Sequence, residues 1–510
     1  MIANSPMTVL IDDTLLDSLG VFQLIPASLA PWRPLVVDGM KFFLERLPVH
    51  RLADLFADQF ALPQDAGPAT RLVTLLAQCP TLHKLGQVLA RNRQLPQEVR
   101  SQLQTLESMT PSTPMEHILL RIREELPQDL PVVLAQHVLA EGSVAVVLPF
   151  TWQENGETRH GVFKVLKPGI EEKCSEEIAV WLELGLFLEQ RSRTLGLPAL
   201  DYRRTLDSVR ELLSNEIHLQ TEQHNLRAAR AFYADEARIH IPQLLPWCTP
   251  RVTAMERIFG EKVSDAELPV QRRIALASVM VSALVGQPFW SRGDMAMLHA
   301  DLHGGNLFAA HDGRLAVLDW SLTLRLSRAD RELLVSIILG GLTLDARRIR
   351  QAVAALGAIS EDNPVLGQTV ERALDRIVFE ARFPGLQWLL EWLDELAQET
   401  ATGFRHDFVL FRKTWLSLSG VIGDLAGEQS PDVQLLGLGL KRFMAELPAR
   451  ASAPPASMDF STHMSNADIL RLGASAWLVP VRYWARFWRR GGALVAIREM
   501  PAGAYAEARN

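Results

Sequence analysis

The 510-residue sequence lacks several features that mark specialised classes of protein. Its only cysteines are Cys79, Cys174 and Cys248, and they lie too far apart for a zinc-ligand pair or a disulfide framework, which suits a reducing compartment. The longest apolar stretches, 274–285 and 333–344, are shorter than the about 20 residues that a membrane-spanning helix needs, so they predict buried core helices. The first residues carry no basic region, so we expect no secretory signal.

An excess of basic charge is also absent. The chain has 52 lysines and arginines against 59 acidic residues, a net charge of −7, so nothing in the overall charge points to a nucleic-acid partner. A hydrophobic content of 48% with 22% charged residues is typical of a globular chain and excludes a mostly disordered one. At about 100–200 residues per domain, the length predicts about three domains.

The hydrophobic patterns and turn signals predict an α+β chain, with a long helical pattern over 201–232. The predicted parts are a helical N-terminal extension (1–110), a region with a hairpin around Asn155-Gly156 and a further strand at 251–258 (111–258), a helical region whose one compact hairpin lies between Asn306 and Asp319 (259–448), a linker of small residues and proline (449–463), and a C-terminal tail (464–510).

The strongest chemical signal is the segment His299–Asn306, which reads HADLHGGN. Asp301 and Asn306 have the D-x-x-x-x-N spacing of a kinase catalytic loop, and Asp319 ends the hairpin that follows. Phosphoryl transfer needs a carboxylate to orient the attacking hydroxyl and accept its proton, and oxygen ligands for Mg²⁺ on the nucleotide phosphates. A loop with Asp301 and Asn306, followed by Asp319, can supply all three groups.

A kinase also needs a strand lysine that holds the α- and β-phosphates and a helix glutamate that orients it. Lys164 interrupts the otherwise apolar strand 162–166, which is the expected setting of that lysine. Taken alone, Lys164 would more simply be a charge on the exposed face of an edge strand. Together with the downstream loop, it favours the kinase interpretation.

The chain resembles the UbiB/AarF family of atypical kinase-like proteins. Lys84-Leu85-Gly86-Gln87 is similar to that family's K-x-G-Q motif, which separates the family from ordinary kinases, and 90–111 looks like its continuation. The other matching segments are the lysine strand 163–169, the two-glutamate helix 215–225, the hinge strand 252–260 and the catalytic loop.

This resemblance implies a bilobal protein-kinase-like fold, with a small β-containing N-lobe and a helical C-lobe, and the cofactors ATP or ADP with Mg²⁺. It implies that Lys164 contacts the α- and β-phosphates and that Glu222 pairs with Lys164. By the same resemblance, Asp301 is the catalytic aspartate, and Asn306 and Asp319 are the Mg²⁺ ligands.

Three further positions take their roles from the resemblance. Gly142 and Ser143 fall where the family has an alanine-rich phosphate loop. The backbone from Glu256 to Ile258 would meet the adenine. In the family the K-x-G-Q segment folds over the active site, so Lys84 and Gln87 would be gate residues.

The sequence departs from the family pattern at several of these motifs. The loop that is usually A-S-I-A-Q-V reads G-S-V-A-V-V from Gly142, which leaves the choice between ATP and ADP open. The family's E-x-D is Glu216-Ile217-His218, which removes one carboxylate, and D-F-G is Asp319-Trp320-Ser321. These differences indicate a divergent member that keeps its metal and phosphate groups.

Three classes of function stay open. The chain could be a phosphotransferase acting on a lipid, small molecule or protein, an ATPase that drives lipid handling, or a nucleotide-binding pseudokinase scaffold. Because family members act in ubiquinone or other isoprenoid-lipid metabolism, the resemblance also implies a lipid or quinone-precursor ligand. The loop further resembles that of aminoglycoside and choline phosphotransferases, which lack K-x-G-Q.

The tail has a composition of its own. Between Ile469 and Arg498 it has six arginines and no acidic residue, and Trp477, Trp484, Phe487 and Trp488 interleave with them. A basic amphipathic helix with interfacial aromatics predicts binding to an anionic membrane surface, and hence a cytoplasmic protein peripheral to the inner face of the membrane. The alternative is a helix that docks its aromatics on the core and leaves its arginines in solvent.

Overall fold

A computed structural model describes residues 27–90, 97, 113–198, 202–357, 359–400, 406–427 and 430–498. Most of 90–111, the predicted continuation of the K-x-G-Q motif, and 499–510 at the end of the tail lie outside these residues. The chain forms two compact units. The first contains Met1–Ala231 and Pro242–Ile258, and the second contains Phe232–Ile241 and Phe259–Asn510.

The described strands and helices alternate along both units. The strands are β1 Val132–Leu134, β2 Ala140–Glu141, β3 Ala145–Glu154, β4 Glu157–Leu166, β5 Ile239–His240, β6 Val252–Glu256, β7 Gly260–Lys262, β8 Met295–His299, β9 Leu307–Ala310, β10 Leu315–Val317 and β11 Thr323–Ser327. The helices are α1 Arg33–Glu45, α2 Val49–Ala61, α3 Pro68–Gln78, α4 Pro80–Ala90, α5 Met115–Glu125, α6 Ile170–Thr194, α7 Tyr202–Ile217, α8 Leu219–Phe232, α9 Val270–Val279, α10 Gln287–Phe289, α11 Arg328–Leu342, α12 Ala346–Ala355, α13 Pro364–Phe379, α14 Leu386–Thr400, α15 His406–Ala426, α16 Pro431–Ser452, α17 Asn466–Ser475 and α18 Leu478–Arg498.

The first unit contains an antiparallel sheet in the order β1-β3-β4-β6, with β2 also paired to β3. The predicted hairpin is present, because Asn155 and Gly156 both have positive φ, 52° and 82°, as a tight two-residue turn requires. At Gly161 a Cβ atom would lie 2.4 Å from Phe150 Cζ, so glycine lets that ring pack flat on the strand. The predicted α+β class and kinase-like fold are confirmed, with this sheet in the N-terminal unit and a largely helical C-terminal unit.

The helices of the N-terminal extension share a hydrophobic core with α6 and α7 of the same unit. Phe43, Leu52 and Leu75 pack in this core with Trp181 and Leu213. A buried ion pair joins Arg51 on α2 to Glu177 on α6, and the Thr81 hydroxyl donates a hydrogen bond of 2.6 Å to the same carboxylate. The extension is therefore part of the first compact unit, and no boundary between compact units falls at residue 110.

The second unit differs from the prediction in its strands. Besides the predicted hairpin β9–β10, which is flanked by β5 and β7, a two-stranded sheet pairs β8 with β11 on either side of the catalytic-loop segment. The sequence analysis missed β7, β8 and β11 because runs of three to five residues are too short for a periodicity to show. In the first unit, the helical pattern predicted over 201–232 is broken at His218 between α7 and α8.

The predicted linker at 449–463 is a packed part of the second unit. Helix α16 continues to Ser452, and residues 460–463 are buried. The Glu446 carboxylate accepts hydrogen bonds from the backbone N–H and the hydroxyl of Ser461, both at 2.6 Å, and pairs with Arg450 at 3.0 Å. Small residues and proline do not by themselves distinguish a linker from a closely packed segment, and here the buried carboxylate of Glu446 decides.

His463, at the end of this segment, makes the stability of the second unit depend on pH. Its ring stacks on Trp290 at 6.0 Å, and Nε2 donates to the Phe289 carbonyl at 2.7 Å. Burial lowers the pKa of His463 to about 4. Because the unfolded chain binds a proton near pH 6.5 and the folded chain does not, the free energy of unfolding should fall by up to about 1.4 kcal/mol per pH unit between pH 6.5 and 4.

Denaturant unfolding at several pH values checks this prediction. His463→Gln should flatten the slope over that window, whereas His311→Gln, at an exposed position of the β9–β10 turn, should keep the slope of the parent. Identical slopes in all three proteins would show that His463 is not the responsible group.

Candidate active site

In the second unit a neutral histidine holds the catalytic loop in place. His299 ends β8 and is buried, and burial lowers its pKa. Its Nδ1 accepts a hydrogen bond of 3.1 Å from the Asp301 backbone N–H, and its Nε2 donates one of 3.1 Å to the Leu318 carbonyl. The imidazole therefore connects the loop before Asp301 with the end of the hairpin before Asp319.

Two further hydrogen bonds bring the predicted residues of the second unit together. The Asn306 side-chain Nδ2 donates to the Asp301 carbonyl at 3.1 Å, and the Leu318 N–H donates to the Asn306 carbonyl at 2.9 Å. Asp319 has a φ of 53°, a left-handed conformation that aspartate tolerates better than most residues. Asp301, Asn306 and Asp319 thus belong to one hydrogen-bonded loop-and-hairpin arrangement.

Trp320, which replaces the phenylalanine of D-F-G, is almost fully buried. Its Nε1 donates to the Val317 carbonyl at 3.1 Å, and its ring centroid lies 4.8 Å from that of His299. The Ser321 N–H donates to Asp319 Oδ1 at 3.2 Å. The aromatic residue anchors the position after Asp319, so the loss of the motif glycine leaves this aspartate held from both sides.

The donor set fits Mg²⁺ that arrives with a nucleotide. Because Asn306 Nδ2 is engaged by the Asp301 carbonyl, its Oδ1 is the atom left for a cation, beside the carboxylate of Asp319. Among the described residues, no group of three or more His, Cys, Asp or Glu side chains could hold a metal ion. Mg²⁺ is commonly bound through one or two carboxylates, with phosphate oxygens and water completing the shell, so this small set suits a nucleotide-borne ion.

The structure adds residues to the second unit's site that sequence reasoning missed. On α15, Lys413 Nζ lies 3.2 Å from Asp301 Oδ1, and the Ser417 hydroxyl donates to the Leu302 carbonyl at 2.8 Å. His303 Nε2 lies 3.5 Å from Asp301 Oδ2. No sequence signal marked Lys413 or Ser417, because they lie far downstream of every motif.

In the first unit the predicted lysine–glutamate pair is present. Lys164 Nζ lies 2.9 and 2.8 Å from the two carboxylate oxygens of Glu222, which is 3% exposed. On β4, Lys164 stands opposite Val147 of β3 and Thr253 of β6. The strand is therefore central in the sheet, which rules out the interpretation of Lys164 as a charge on an edge strand.

The K-x-G-Q lysine meets the phosphate-loop segment through a glutamate. Lys84 on α4 forms an ion pair with Glu216 at the end of α7, and the Ser143 hydroxyl donates to the other oxygen of that carboxylate at 2.9 Å. Gln87 contacts His83, one turn earlier on its own helix, at 3.3 Å. Lys84 and Ser143 are thus brought together by Glu216, which was noted in the sequence only for its motif.

The glycine of the altered phosphate loop is not a conformational requirement. Gly142 lies between β2 and β3, and its N–H donates to the Ala145 carbonyl at 2.8 Å. A Cβ atom at Gly142 would meet that carbonyl oxygen at 3.6 Å, an ordinary contact, so the family's usual alanine would fit. Beside it, burial would raise the pKa of Glu141, but hydrogen bonds from Lys167 and Thr113 outweigh this and hold the pKa at about 2.

The predicted adenine segment follows β6 at the end of the first unit. The Glu256 N–H donates to the Gln243 carbonyl at 2.8 Å, and the Arg257 N–H donates to the His160 carbonyl at 3.1 Å. These two N–H groups are therefore engaged within the unit. An adenine contact at Ile258 stays a prediction.

The tail helix presents the opposite face to the one expected. Arg486 is buried and pairs with Glu371 at 2.8 Å and Asp375 at 2.9 Å on α13, and Arg482 pairs with Asp345 at 3.0 Å. On the other side of the helix, four residues at helical spacing are exposed: Trp477, Val481, Trp484 and Trp488, at 68, 53, 54 and 70%. The arginines dock the helix and the aromatics face solvent, so both sequence-based alternatives for the arginine face are corrected.

Comparisons with known proteins agree with this geometry. Residues 105–353 match the model of the "ABC1 atypical kinase-like domain". The chain is 26% identical to the "Probable protein kinase UbiB" of Pseudomonas paraeruginosa, over 72% of this chain and 70% of that relative. The chain belongs to the UbiB/AarF family of atypical kinase-like proteins.

Other similar proteins lie further from this chain. An Arabidopsis thaliana protein, "ACTIVITY OF BC1 COMPLEX KINASE 1, chloroplastic", is 28% identical over 56% of this chain and 42% of its own length. The solved structure described as "The complex structure of Rv3197-erythromycin from Mycobacterium tuberculosis" aligns with a TM-score of 0.43 at 18% identity, over 67% of this chain and 87% of that chain, a likeness too low to add to the assignment.

The cluster of Lys84, Glu216 and Ser143 gives a prediction that needs no nucleotide. Lys84→Ala leaves the partly buried Glu216 carboxylate without its cation, so the protein should lose about 2 kcal/mol of stability and the segment 140–146 should open more often. Hydrogen exchange of the amides in 140–146, with thermal unfolding, measures both effects. Lys173→Ala, which removes a contact of 3.4 Å to Gln78 in the same unit, is the control and should leave that exchange unchanged.

Proposed function

We propose that this UbiB/AarF-family chain is an atypical kinase or ATPase that binds ATP or ADP with Mg²⁺ and hydrolyses ATP or transfers its γ-phosphate. The observation that carries the proposal is the retention, with local geometry, of each group that phosphoryl transfer needs. Lys164 is paired with Glu222 in the first unit, and Asp301, Asn306 and Asp319 are joined by hydrogen bonds in the second. A pseudokinase scaffold has no need to keep all five.

Each group has a role that its surroundings support. Lys164 offers its ammonium group to the α- and β-phosphate oxygens while Glu222 fixes its direction. Asp301 orients the attacking hydroxyl or water and accepts its proton. Asn306 and Asp319 hold Mg²⁺, which when bound neutralises charge that develops on the phosphates.

The contact of Lys84 with Glu216 and Ser143 supports ATP hydrolysis, or transfer to a small acceptor, over phosphorylation of a protein. It holds the K-x-G-Q helix against the predicted phosphate loop within the first unit. A segment bound there leaves less room for a protein substrate. By family membership, we propose that the ligand or acceptor is a lipid or a quinone precursor, in isoprenoid-lipid metabolism.

Asp319→Asn tests the metal assignment. Because the variant loses one carboxylate ligand, we expect Mg²⁺-dependent affinity for ATP and ADP to fall by about tenfold or more. Nucleotide-induced thermal shifts with and without Mg²⁺ give the measurement, and Asp312→Asn, at the turn of the same hairpin, is the control. If Asp319→Asn and the parent gave equal shifts, the metal assignment would be wrong.

We further propose that the exposed aromatic face of α18 binds a membrane surface. In the described residues no helix is long and apolar enough to cross a bilayer. Tryptophan side chains favour the interface between lipid headgroups and acyl chains, and three of them line this face. Because Arg482 and Arg486 are paired with acidic side chains of the second unit, binding should depend on the aromatics and only weakly on salt.

Co-sedimentation with liposomes of anionic and of neutral lipids tests this binding mode. The double variant Trp484→Ala/Trp488→Ala should bind both at least tenfold more weakly, since burying one large apolar side chain contributes about 1.5–3 kcal/mol. Phe60→Ala, which removes an 82% exposed aromatic from α2, should bind like the parent. Binding to anionic lipids alone, abolished by salt and unchanged in the double variant, would contradict the proposal.

A further inference from the structure

Helix α15 contacts the catalytic loop at two consecutive residues, although it lies outside the residues that match the family domain. Lys413 Nζ is 3.2 Å from Asp301 Oδ1, and the Ser417 hydroxyl donates to the carbonyl of Leu302 at 2.8 Å. Lys413 and Ser417 are four residues apart, one above the other on the same helix face. One row of this helix therefore runs along the loop that carries the predicted catalytic aspartate.

Packing fixes the position of this helix face. Phe411, Trp415, Leu418 and Ile422 are each at most 2% exposed and form an apolar stripe along α15. The Lys413 and Asp301 side chains are, by contrast, 42% and 21% exposed. The backbone beneath Lys413 is thus rigidly placed, while the ammonium and the carboxylate remain within reach of a ligand.

The charge of the loop itself leaves a role open. A transferred phosphoryl group spreads negative charge over three oxygens, and enzymes stabilise it with placed cations. Between Asp301 and Asn306 the sequence is D-L-H-G-G-N, without lysine or arginine. A cation that faces the phosphoryl group from this side must therefore come from another part of the chain.

We propose that Lys413 is a further catalytic residue, which donates a hydrogen bond to the γ-phosphoryl oxygens while it stays paired with Asp301. This inference rests on the proposed function. An ammonium group has three N–H donors, so it can hold the Asp301 carboxylate and a phosphoryl oxygen together. Because Asp301 orients the attacking oxygen, a group in contact with Asp301 lies next to the phosphorus that this oxygen attacks.

The step balances with Lys413 unchanged. The bond from the acceptor oxygen to the γ-phosphorus forms, the bond from that phosphorus to the oxygen bridging to the β-phosphate breaks, and Asp301 takes the acceptor's proton. Lys413 keeps its protons and stabilises the charge on the transferred group. As a structural ion pair between partly exposed groups, the same contact would contribute only about 0–1 kcal/mol to stability.

The test compares Lys413→Ala and Lys413→Arg with Lys441→Ala, which removes an exposed lysine from α16 of the same unit. ADP release from Mg²⁺-ATP, affinities for Mg²⁺-ATP and Mg²⁺-ADP, and melting temperatures are measured for each. For Lys413→Ala we expect ADP release to fall at least tenfold and ATP affinity about fivefold, with ADP affinity within twofold of the parent. Lys413→Arg should recover part of both losses, and Lys441→Ala should match the parent.

The possible results separate this inference from the proposed function. Unchanged ADP release and ATP affinity in Lys413→Ala, in a parent that binds both nucleotides, overturn the role of Lys413 alone. Equal losses for ATP and ADP also overturn it, because they would reflect a distorted loop. A parent that binds neither nucleotide overturns the proposed function and this inference together. If Lys413→Ala does not fold, Lys413→Met, which keeps the aliphatic stem, carries the same expectations.

Discussion

An ionised side chain that leaves water must find an opposite charge or several hydrogen bonds, since otherwise its burial costs several kcal/mol. This constraint shapes both units. Arg51 is buried against Glu177, Lys164 against Glu222, and Glu446 against Arg450 and two hydroxyl groups. Each pair connects elements that are distant in sequence or closes a segment onto a helix, so the pairing of buried charge fixes where these elements pack.

The two parts of the candidate site use this constraint differently. In the first unit Lys164 and Glu222 neutralise each other, and a phosphate oxygen can still bind a third ammonium proton without breaking the pair. In the second unit the loop is held by His299, a buried neutral ring that bonds to backbone groups on both sides. That arrangement places Asp301 without using its carboxylate as the structural contact. The carboxylate stays 21% exposed, available to a ligand and to Lys413.

The C-terminal helix shows how a helix face takes its role from its neighbours. The sequence separates arginines from aromatics around the helix, and in isolation the arginines would be the face in water. Glu371, Asp375 and Asp345 on neighbouring helices attract that face instead and leave three tryptophans exposed. A large exposed aromatic surface is costly in water unless something covers it, which is the physical basis for the proposed membrane contact.

The sequence by itself determined the parts that depend on local chemistry. The Asn155-Gly156 turn, the apolar strand around Lys164 and the spacing of Asp301 and Asn306 are set by residues within a few positions of one another, and their family pattern followed from the same motifs. The tertiary structure alone decided which distant groups meet. The contacts of Ser143 with Glu216, of Lys413 with Asp301 and of Glu446 with Ser461, and the burial of 460–463, have no local signal. Each arises because a carboxylate, once partly buried, binds whichever donors the packed chain brings within about 3 Å.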